Sequence, residues 1–222
     1  ASDEFHHAIE LARQADTAVV VVGTTEHIES EGGDRVDLRL PEGQDELVEA
    51  AIAANPNTIV VVNSGAPVLM PWFDKAAAVI LTWFPGQEFG DALADVLSGA
   101  REPGGRTPNT WPAAEADVPV WQVEPTDGQL MYAEGIHVGY REWSRRARAN
   151  GPAPLLPFGH GLGYTTWRLM DLRVGNDNGN LEAIVDLSNT GTRPGKQVVQ
   201  LYLSRTSPSE VDRPDLWLAG FA

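Results

Sequence analysis

Hydrophobic and polar positions at the start of the chain follow two different periods. Apolar residues at Phe5, Ala8, Ile9 and Leu11 recur at the spacing of one helix face, which predicts a helix. The next apolar segment, residues 18–22, is a continuous run of one Ala and four Val that ends at Gly23. A continuous run is typical of a parallel strand that is buried on both faces, so we predict such a strand here.

Helical and strand segments then repeat along the chain. A second helix is predicted from Pro41 to Ala54, since proline and acidic residues are favoured at helix N-termini. The further strands are predicted at 58–62 and 77–82, and the further helices at 71–75 and 87–97. This alternation indicates an α/β domain with a mostly parallel sheet sandwiched by helices. Ligands of such sheets bind at the carboxyl ends of the strands, so the loops after Val22, Asn63 and Trp83 are expected at the site.

The pattern changes after residue 100. Residues 101–165 are rich in Pro, Gly and aromatic residues and carry few periodic segments. From about residue 166, apolar and polar residues alternate as in half-buried antiparallel strands, with an Asn-Asp-Asn-Gly turn at 176–179. We therefore predict an α/β domain over 1–165 and an all-β domain over 166–222. A β-sandwich needs about 100 residues, so the second domain is expected to be incomplete.

Composition excludes several classes of function. The chain has 31 acidic and 16 basic residues, a net charge of −15, which would repel nucleic acids and anionic membranes. We therefore expect neither as a partner, whereas a neutral sugar would not be repelled. The chain has no cysteine, which excludes disulfides, thiolate zinc sites and a cysteine nucleophile. Its histidines lack metal-ligand spacing, so no metal or other cofactor is implied.

The first residues do not form a signal peptide. The chain begins at Ala1 without methionine and without a charged segment followed by an apolar one. We expect Ala1 to be an internal or processed end. The sequence therefore leaves open whether the protein is cytoplasmic or secreted.

Several motifs occur in the order found in one enzyme family. Residues 29–35 read Glu-Ser-Glu-Gly-Gly-Asp-Arg and are followed by Leu-Arg-Leu-Pro at 38–41 and by Gln44. This stretch resembles the acid/base loop of the β-glucosidases of glycoside hydrolase family 3. Further similar segments lie at 83–90, 94–99, 104–112, 132–141 and 156–165. Residues 185–203 resemble the start of the fibronectin type III-like domain of the same family.

The resemblance implies a retaining, exo-acting β-glycosidase, specifically a β-glucosidase that releases terminal β-linked glucose from oligosaccharides or other β-glucosides. It implies that Glu31 is the general acid/base, and Glu29 is the rival carboxylate. The family's (β/α)₈ barrel, which supplies the aspartate nucleophile, needs about 250 residues and does not fit in this chain. The barrel is therefore expected on a missing part of the polypeptide or on another chain, and this chain alone is expected to be inactive.

Arg35 affects the electrostatics of the predicted acid. A useful acid needs a raised pKa, and an arginine beside Glu31 would lower that pKa. We therefore expect Arg35 to point away from Glu31 and to pair with Asp34 or Asp37. In this arrangement Asp34 and Arg35 would brace the loop.

Other residue groups have both a binding and a structural interpretation. Tyr132, Glu134, Tyr140 and Arg141 are candidates for an outer sugar subsite or for a packing strip between domains. Any of the five tryptophans considered could stack on a sugar but is also a typical core residue: Trp72, Trp83, Trp111, Trp121 and Trp143. The glycine-rich stretch 159–163 lacks the lysine of a phosphate loop, so we interpret it as a turn and His160 as structural.

Two other functions remain as alternatives. The first is a non-catalytic carbohydrate-binding or interaction module. The second is a flavodoxin-like nucleotide-binding domain, which is disfavoured because the loop after the first strand is acidic and would repel phosphate.

Overall fold

The computed structural model describes residues 2–120, 124–207 and 210–222. The chain forms two compact units, each assembled from separate stretches of sequence. The first contains Ala1–Gln87, Thr110–Ala133 and Pro152–Leu156, and the second contains Glu88–Asn109, Glu134–Gly151 and Pro157–Ala222. These are units of internal contacts, and the domain boundary near residue 165 stays a prediction.

The first unit contains a parallel three-stranded sheet and two helices. Its elements in chain order are α1 (Asp3–Gln14), β1 (Ala18–Gly23), α2 (Gln44–Ala54), β2 (Thr58–Asn63) and β3 (Ala78–Leu81), with 3₁₀ turns at Phe73–Lys75 and Glu115–Asp117. The strand order is β1-β2-β3, and both pairings are parallel. The predicted α/β fold class with a mostly parallel sheet is confirmed.

The helix starts show where local sequence decides the structure. Ser2 begins α1 by accepting a hydrogen bond from the Phe5 amide on its hydroxyl, as N-cap serines do. α2 begins three residues later than predicted, because Gly43 has a positive φ of 85° that is incompatible with a helix. Pro41 therefore lies in the turn before the helix.

The core of this unit lies around β2. Val60, Val61 and Val62 are 0–1% exposed. Val60 and Val62 belong to a cluster with Trp72 and Trp111. The prediction of burial on both faces therefore holds for β2. For β1 it is wrong, because β1 is an edge strand of the described sheet, with Val19 45% and Val21 54% exposed.

The second unit contains two helices and two antiparallel strand pairs. Its elements are α3 (Phe89–Ser98), α4 (Tyr140–Arg148), β4 (Trp167–Asp177), β5 (Asn180–Asn189), β6 (Gln200–Ser204) and β7 (Leu216–Phe221), in which β4 pairs with β5 and β6 with β7. The turn predicted at 176–179 joins β4 to β5, and Asn178 and Gly179 have the positive φ that this turn requires. α4 and β7 were not predicted. The fibronectin type III-like character of the strand pairs remains a prediction.

Within the described ranges, every helix is too short or too polar to cross a bilayer.

Two valines that face each other across β1 and β2 test this description of the core. Val61→Ala should lower the free energy of unfolding by about 2–3 kcal/mol, because two buried methyl groups are lost and a cavity remains. Val21→Ala, on the paired position of the exposed strand, should cost less than about 1 kcal/mol. Urea denaturation followed by tryptophan fluorescence measures both changes. Equal losses would contradict the assignment of β2 as the buried strand.

Candidate functional site

The carboxyl ends of β1 and β2 are held together at one edge of the sheet. Gly23 pairs with Asn63 in register, and the Thr24 amide donates to the Asn63 carbonyl at 3.0 Å. A Cβ on Gly23 would lie 2.1 Å from that carbonyl oxygen, so glycine is required here. The Gln44 side chain accepts from the Gly23 amide and donates to the Gly23 carbonyl, at 2.7 and 3.0 Å. The first residue of α2 thus fixes the point at which the acidic loop leaves β1.

Glu31 lies at the tip of a tight turn in that loop. Ser30 and Gly33 form an isolated antiparallel bridge, which leaves Glu31 and Gly32 as the two residues between them. Glu31 is exposed. Its carboxylate forms no hydrogen bond or ion pair with any residue that the structure describes. The arrangement presents this carboxylate to a group from outside the loop.

Glu29, in contrast to Glu31, is largely buried and hydrogen-bonded. Its side chain is 10% exposed. One carboxylate oxygen, Oε2, accepts a hydrogen bond from the Gly65 amide at 2.8 Å. The other, Oε1, accepts from the Ala66 amide at 3.2 Å and from the Ser64 hydroxyl at 3.1 Å. Glu29 therefore attaches the acidic loop to the loop that follows β2.

Arg35 joins the same attachment. Its Nη1 donates to Glu29 Oε1 at 3.3 Å and to the Pro67 carbonyl at 3.0 Å, and its side chain is 14% exposed. The expected pairing of Arg35 with Asp34 or Asp37 is wrong. Asp37 instead accepts hydrogen bonds from Arg39, which lower the pKa of the Asp37 carboxyl. Asp34 is exposed. Arg35 thus braces the loop through Glu29, whose burial makes it the better partner.

Gly65 allows the close approach of Glu29. A Cβ at this position would lie 2.9 Å from Glu29 Oε2 and 2.5 Å from the Phe84 ring. Ser64, Gly65 and Ala66 could not be predicted as site residues beyond their position after a strand, because a backbone amide donor has no residue signature. Only the placement of Asn63 at the carboxyl end of a predicted strand indicated this loop.

The tryptophans divide between core and site edge. Trp72 and Trp111 are buried in the core of the first unit, and Trp143 is buried in the second. Trp83 follows β3 with a positive φ of 56°, and its ring contacts Trp111 edge-to-face at 5.9 Å. Trp121 lies outside the described residues.

The four residues of the predicted outer subsite are divided between the units. Tyr132 belongs to the first unit and is 79% exposed. Glu134, Tyr140 and Arg141 belong to the second unit. There the Tyr140 ring stacks on Phe158 at 4.8 Å, and its hydroxyl accepts from the Leu218 amide at 2.8 Å. Arg141 lies 5.9 Å from the centre of the Tyr140 ring. Tyr140 therefore contributes to packing of its own unit, and the subsite remains a prediction.

The glycine-rich stretch packs as a turn. The His160 amide donates to the Thr107 hydroxyl, and the Thr107 amide donates to the His160 carbonyl. Burial and, secondarily, the nearby charge of Arg106 lower the pKa of the His160 imidazole, which favours its neutral form. Over the residues that the structure describes, no group of three or more potential ligands could hold a metal ion.

Comparison with known proteins identifies relatives over most of the chain. Residues 2–140 match the family described as "Glycosyl hydrolase family 3 C-terminal domain". A β-glucosidase of Rhizobium radiobacter is 44% identical in an alignment of length 225, which covers 97% of this chain and 27% of that protein. Beta-glucosidase B of Emericella nidulans is 42% identical in an alignment of length 233, which covers 99% of this chain and 27% of that protein.

Solved structures of β-glucosidases are also similar to nearly the whole of this chain. The β-glucosidase from Kluyveromyces marxianus in complex with glucose superposes with a TM-score of 0.90 at 40% identity, over 100% of this chain and 27% of that one. DesR, a β-glucosidase from Streptomyces venezuelae in complex with D-glucose, superposes with a TM-score of 0.87 at 39% identity, over 98% of this chain and 28% of that one. The chain thus spans about a quarter of the length of these relatives.

The α4 helix provides a pH test of the second unit. Glu142 is buried and accepts hydrogen bonds from Arg145 at 2.7 Å and Arg146 at 3.0 Å, which lower the pKa of its carboxyl. The unfolded carboxyl titrates near pH ~4.3, so this stabilisation is present above that pH and is lost as the pH falls through the lowered folded pKa. Glu142→Gln should therefore lower the Tm by about 3–6 °C at pH 7, and the difference should narrow below about pH 4.3.

Calorimetry across pH measures this effect. Glu182→Gln is the matched control, because Glu182 is exposed on β5 and its side chain has no hydrogen bond or ion pair among the described residues. A difference for Glu142→Gln that stays constant with pH would contradict the ionic origin of the stabilisation.

Proposed function

Because this chain belongs to glycoside hydrolase family 3, we propose that it is part of a retaining, exo-acting β-glucosidase and that Glu31 is the general acid/base. The observation that carries this proposal is the position of Glu31. It is an exposed carboxylate without a described partner, at the tip of a two-residue turn beside the carboxyl ends of two parallel strands. Ligands of parallel sheets bind at this edge.

The chemistry requires a second carboxylate. A retaining glycosidase uses one carboxylate to attack the anomeric carbon, while the acid protonates the leaving oxygen, and the two groups lie about 5–5.5 Å apart. We place the aspartate nucleophile on a (β/α)₈ barrel outside this chain. The relatives named as β-glucosidases are almost four times longer than the matched region, which leaves ample length for such a domain.

Glu31 acts twice in the proposed cycle. As an acid it gives its proton to the glycosidic oxygen while the nucleophile forms a bond to C1 and the aglycone leaves. As a base it then takes a proton from the water that attacks C1 and releases the sugar. A carboxylate at an exposed tip can reach both the leaving group and the water, which a group buried among donors cannot do.

The substrate class is a terminal β-glucoside. The relatives are named as β-glucosidases, and two of the solved structures contain glucose. A neutral sugar is compatible with a chain whose net charge is −15.

Replacement of Glu31 tests the assignment in the complete enzyme. Glu31→Ala should lower kcat/KM by about 10²–10⁴-fold on alkyl glucosides, which need protonation of the leaving group. The loss should be much smaller for dinitrophenyl glucoside, and azide should restore turnover with glucosyl azide as product. Glu26→Ala is the control, since Glu26 is an exposed carboxylate of the same loop. Full activity of Glu31→Ala on alkyl glucosides would refute the assignment.

The isolated chain provides a second test. Residues 1–222 alone should not hydrolyse nitrophenyl β-glucoside, because the proposed nucleophile and most of the sugar contacts lie outside them. Release of nitrophenolate by the purified chain would contradict the division of the site between domains. Calorimetric titration with glucose and cellobiose tests the alternative of a carbohydrate-binding module, which requires measurable binding by the chain alone.

A further inference from the structure

We propose that Glu29 is a positioning residue, whose carboxylate holds the Glu31 turn against the loop that follows β2. This inference rests on the proposed function, since Glu29 acts through Glu31. The carboxylate of Glu29 does not exchange a proton with the substrate. It determines where the carboxylate two residues later is held.

Both ends of the turn are attached to the same short stretch of chain. Glu29 immediately precedes the Ser30–Gly33 bridge and binds the Ser64 hydroxyl and the amides of residues 65 and 66. Arg35 follows the bridge and donates to the Pro67 carbonyl. Glu29 and Arg35 also pair with each other at 3.3 Å, which closes the turn at its base. The turn that carries Glu31 is therefore short, and the residues on both sides of it are fixed.

The donors around Glu29 require a group that only accepts hydrogen bonds. Two backbone amides and one guanidinium nitrogen donate to its two oxygens. The Ser64 hydroxyl is a fourth donor, which shares its one proton between Glu29 Oε1 at 3.1 Å and the Ala66 carbonyl at 2.6 Å. An ionised carboxylate has acceptor sites for all four, whereas a glutamine would turn an NH₂ group towards some of them. Hydrogen bonds to an ionised acceptor are also stronger than neutral ones. The site therefore selects a carboxylate at position 29.

Arg35 depends on Glu29 for its charge partner. Its Nε and Nη2 atoms are buried and have no hydrogen-bond partner among the described residues, and Glu29 is the carboxylate paired with its Nη1. Removal of Glu29 would take away the ion-pair partner of a largely buried guanidinium, which is costly. We therefore expect the Arg35 end of the turn to move when Glu29 is lost, and Glu31 to move with it.

The same geometry argues against Glu29 as the acid itself. A general acid must come within hydrogen-bond reach of the oxygen that it protonates. Both Glu29 oxygens already accept bonds from protein donors, and its side chain is 10% exposed. A misplacement of a catalytic group by about 1 Å can cost about 10²-fold in rate, so a positioning role is sufficient to make Glu29 important.

The experiment compares variants of the complete enzyme per active site, counted by the burst from a 2-deoxy-2-fluoroglucoside. Glu29→Ala should lower kcat on alkyl glucosides by about 10–100-fold with little change in KM. Glu29→Gln should retain more activity, since it keeps one acceptor oxygen. Azide should give no glucosyl azide with either variant, and the alkaline limb of the pH profile, which reports loss of the acid's proton, should remain, because Glu31 still acts. Glu26→Ala again serves as the control.

Two variants in the loop that follows β2 test the contacts of that loop with the Glu29 carboxylate. Gly65→Ala would place a Cβ 2.9 Å from Glu29 Oε2 and should reproduce the loss seen in Glu29→Ala. Ser64→Ala removes one donor and should lower kcat only several-fold. If Glu29→Ala fails to fold, kcat per active site and azide rescue measured for Ser64→Ala and Glu29→Gln decide whether Glu29 positions Glu31.

The outcomes separate this inference from the proposed function. Azide rescue of Glu29→Ala, with loss of the alkaline limb of the pH profile, would make Glu29 the acid and overturn the positioning role. Unchanged kcat per active site in Glu29→Ala, Glu29→Gln and Gly65→Ala would also overturn it. Full activity of Glu31→Ala would instead refute the proposed function, whatever the Glu29 variants show.

Discussion

Parallel pairing of β1 with β2 is the constraint on which the site depends. Because the two strands run in the same direction, the loops that follow them emerge at one edge of the sheet. The loop after β1 carries carboxylates, and the loop after β2 offers backbone amides. An antiparallel pairing would place these loops at opposite edges, and the Glu29 carboxylate could not reach Gly65. The whole attachment of the acidic loop follows from strand direction.

Two neighbouring carboxylates of this loop have different surroundings, and the roles proposed for them follow from that difference. Glu29 and Glu31 are the same residue type, two positions apart, in a chain with a large negative charge. Glu29 is surrounded by N–H and O–H donors, while Glu31 has no described partner. The loop thereby uses one acidic side chain to hold its own shape and leaves the other available. Repulsion between them is reduced because Arg35 pairs with Glu29.

The sequence was most informative where one interaction determines the structure. The period of apolar residues predicted α1 and β2, since burial of one stripe or one run fixes those elements. It could not distinguish β1 from β2, because an apolar run does not specify what covers it, and Val19 and Val21 are exposed. α4 was missed because five of its nine residues are charged, which leaves few apolar positions from which a helical period could be recognised. The partner of Arg35 was mistaken because sequence distance favoured Asp34 and Asp37, whereas burial favours Glu29.

The two-residue turn between Ser30 and Gly33 limits how the length of this loop can vary. One residue inserted between them would replace the two-residue turn by a three-residue one with a different backbone geometry, and would redirect Glu31. An insertion between Thr25 and Glu29 would disrupt the hydrogen bond from the Glu29 amide to the Thr25 carbonyl, whereas one between Thr24 and Thr25 leaves the turn and these contacts intact. Variation in length among related sequences is therefore expected before Thr25, while the segment from Thr25 to Arg35 keeps a constant number of residues.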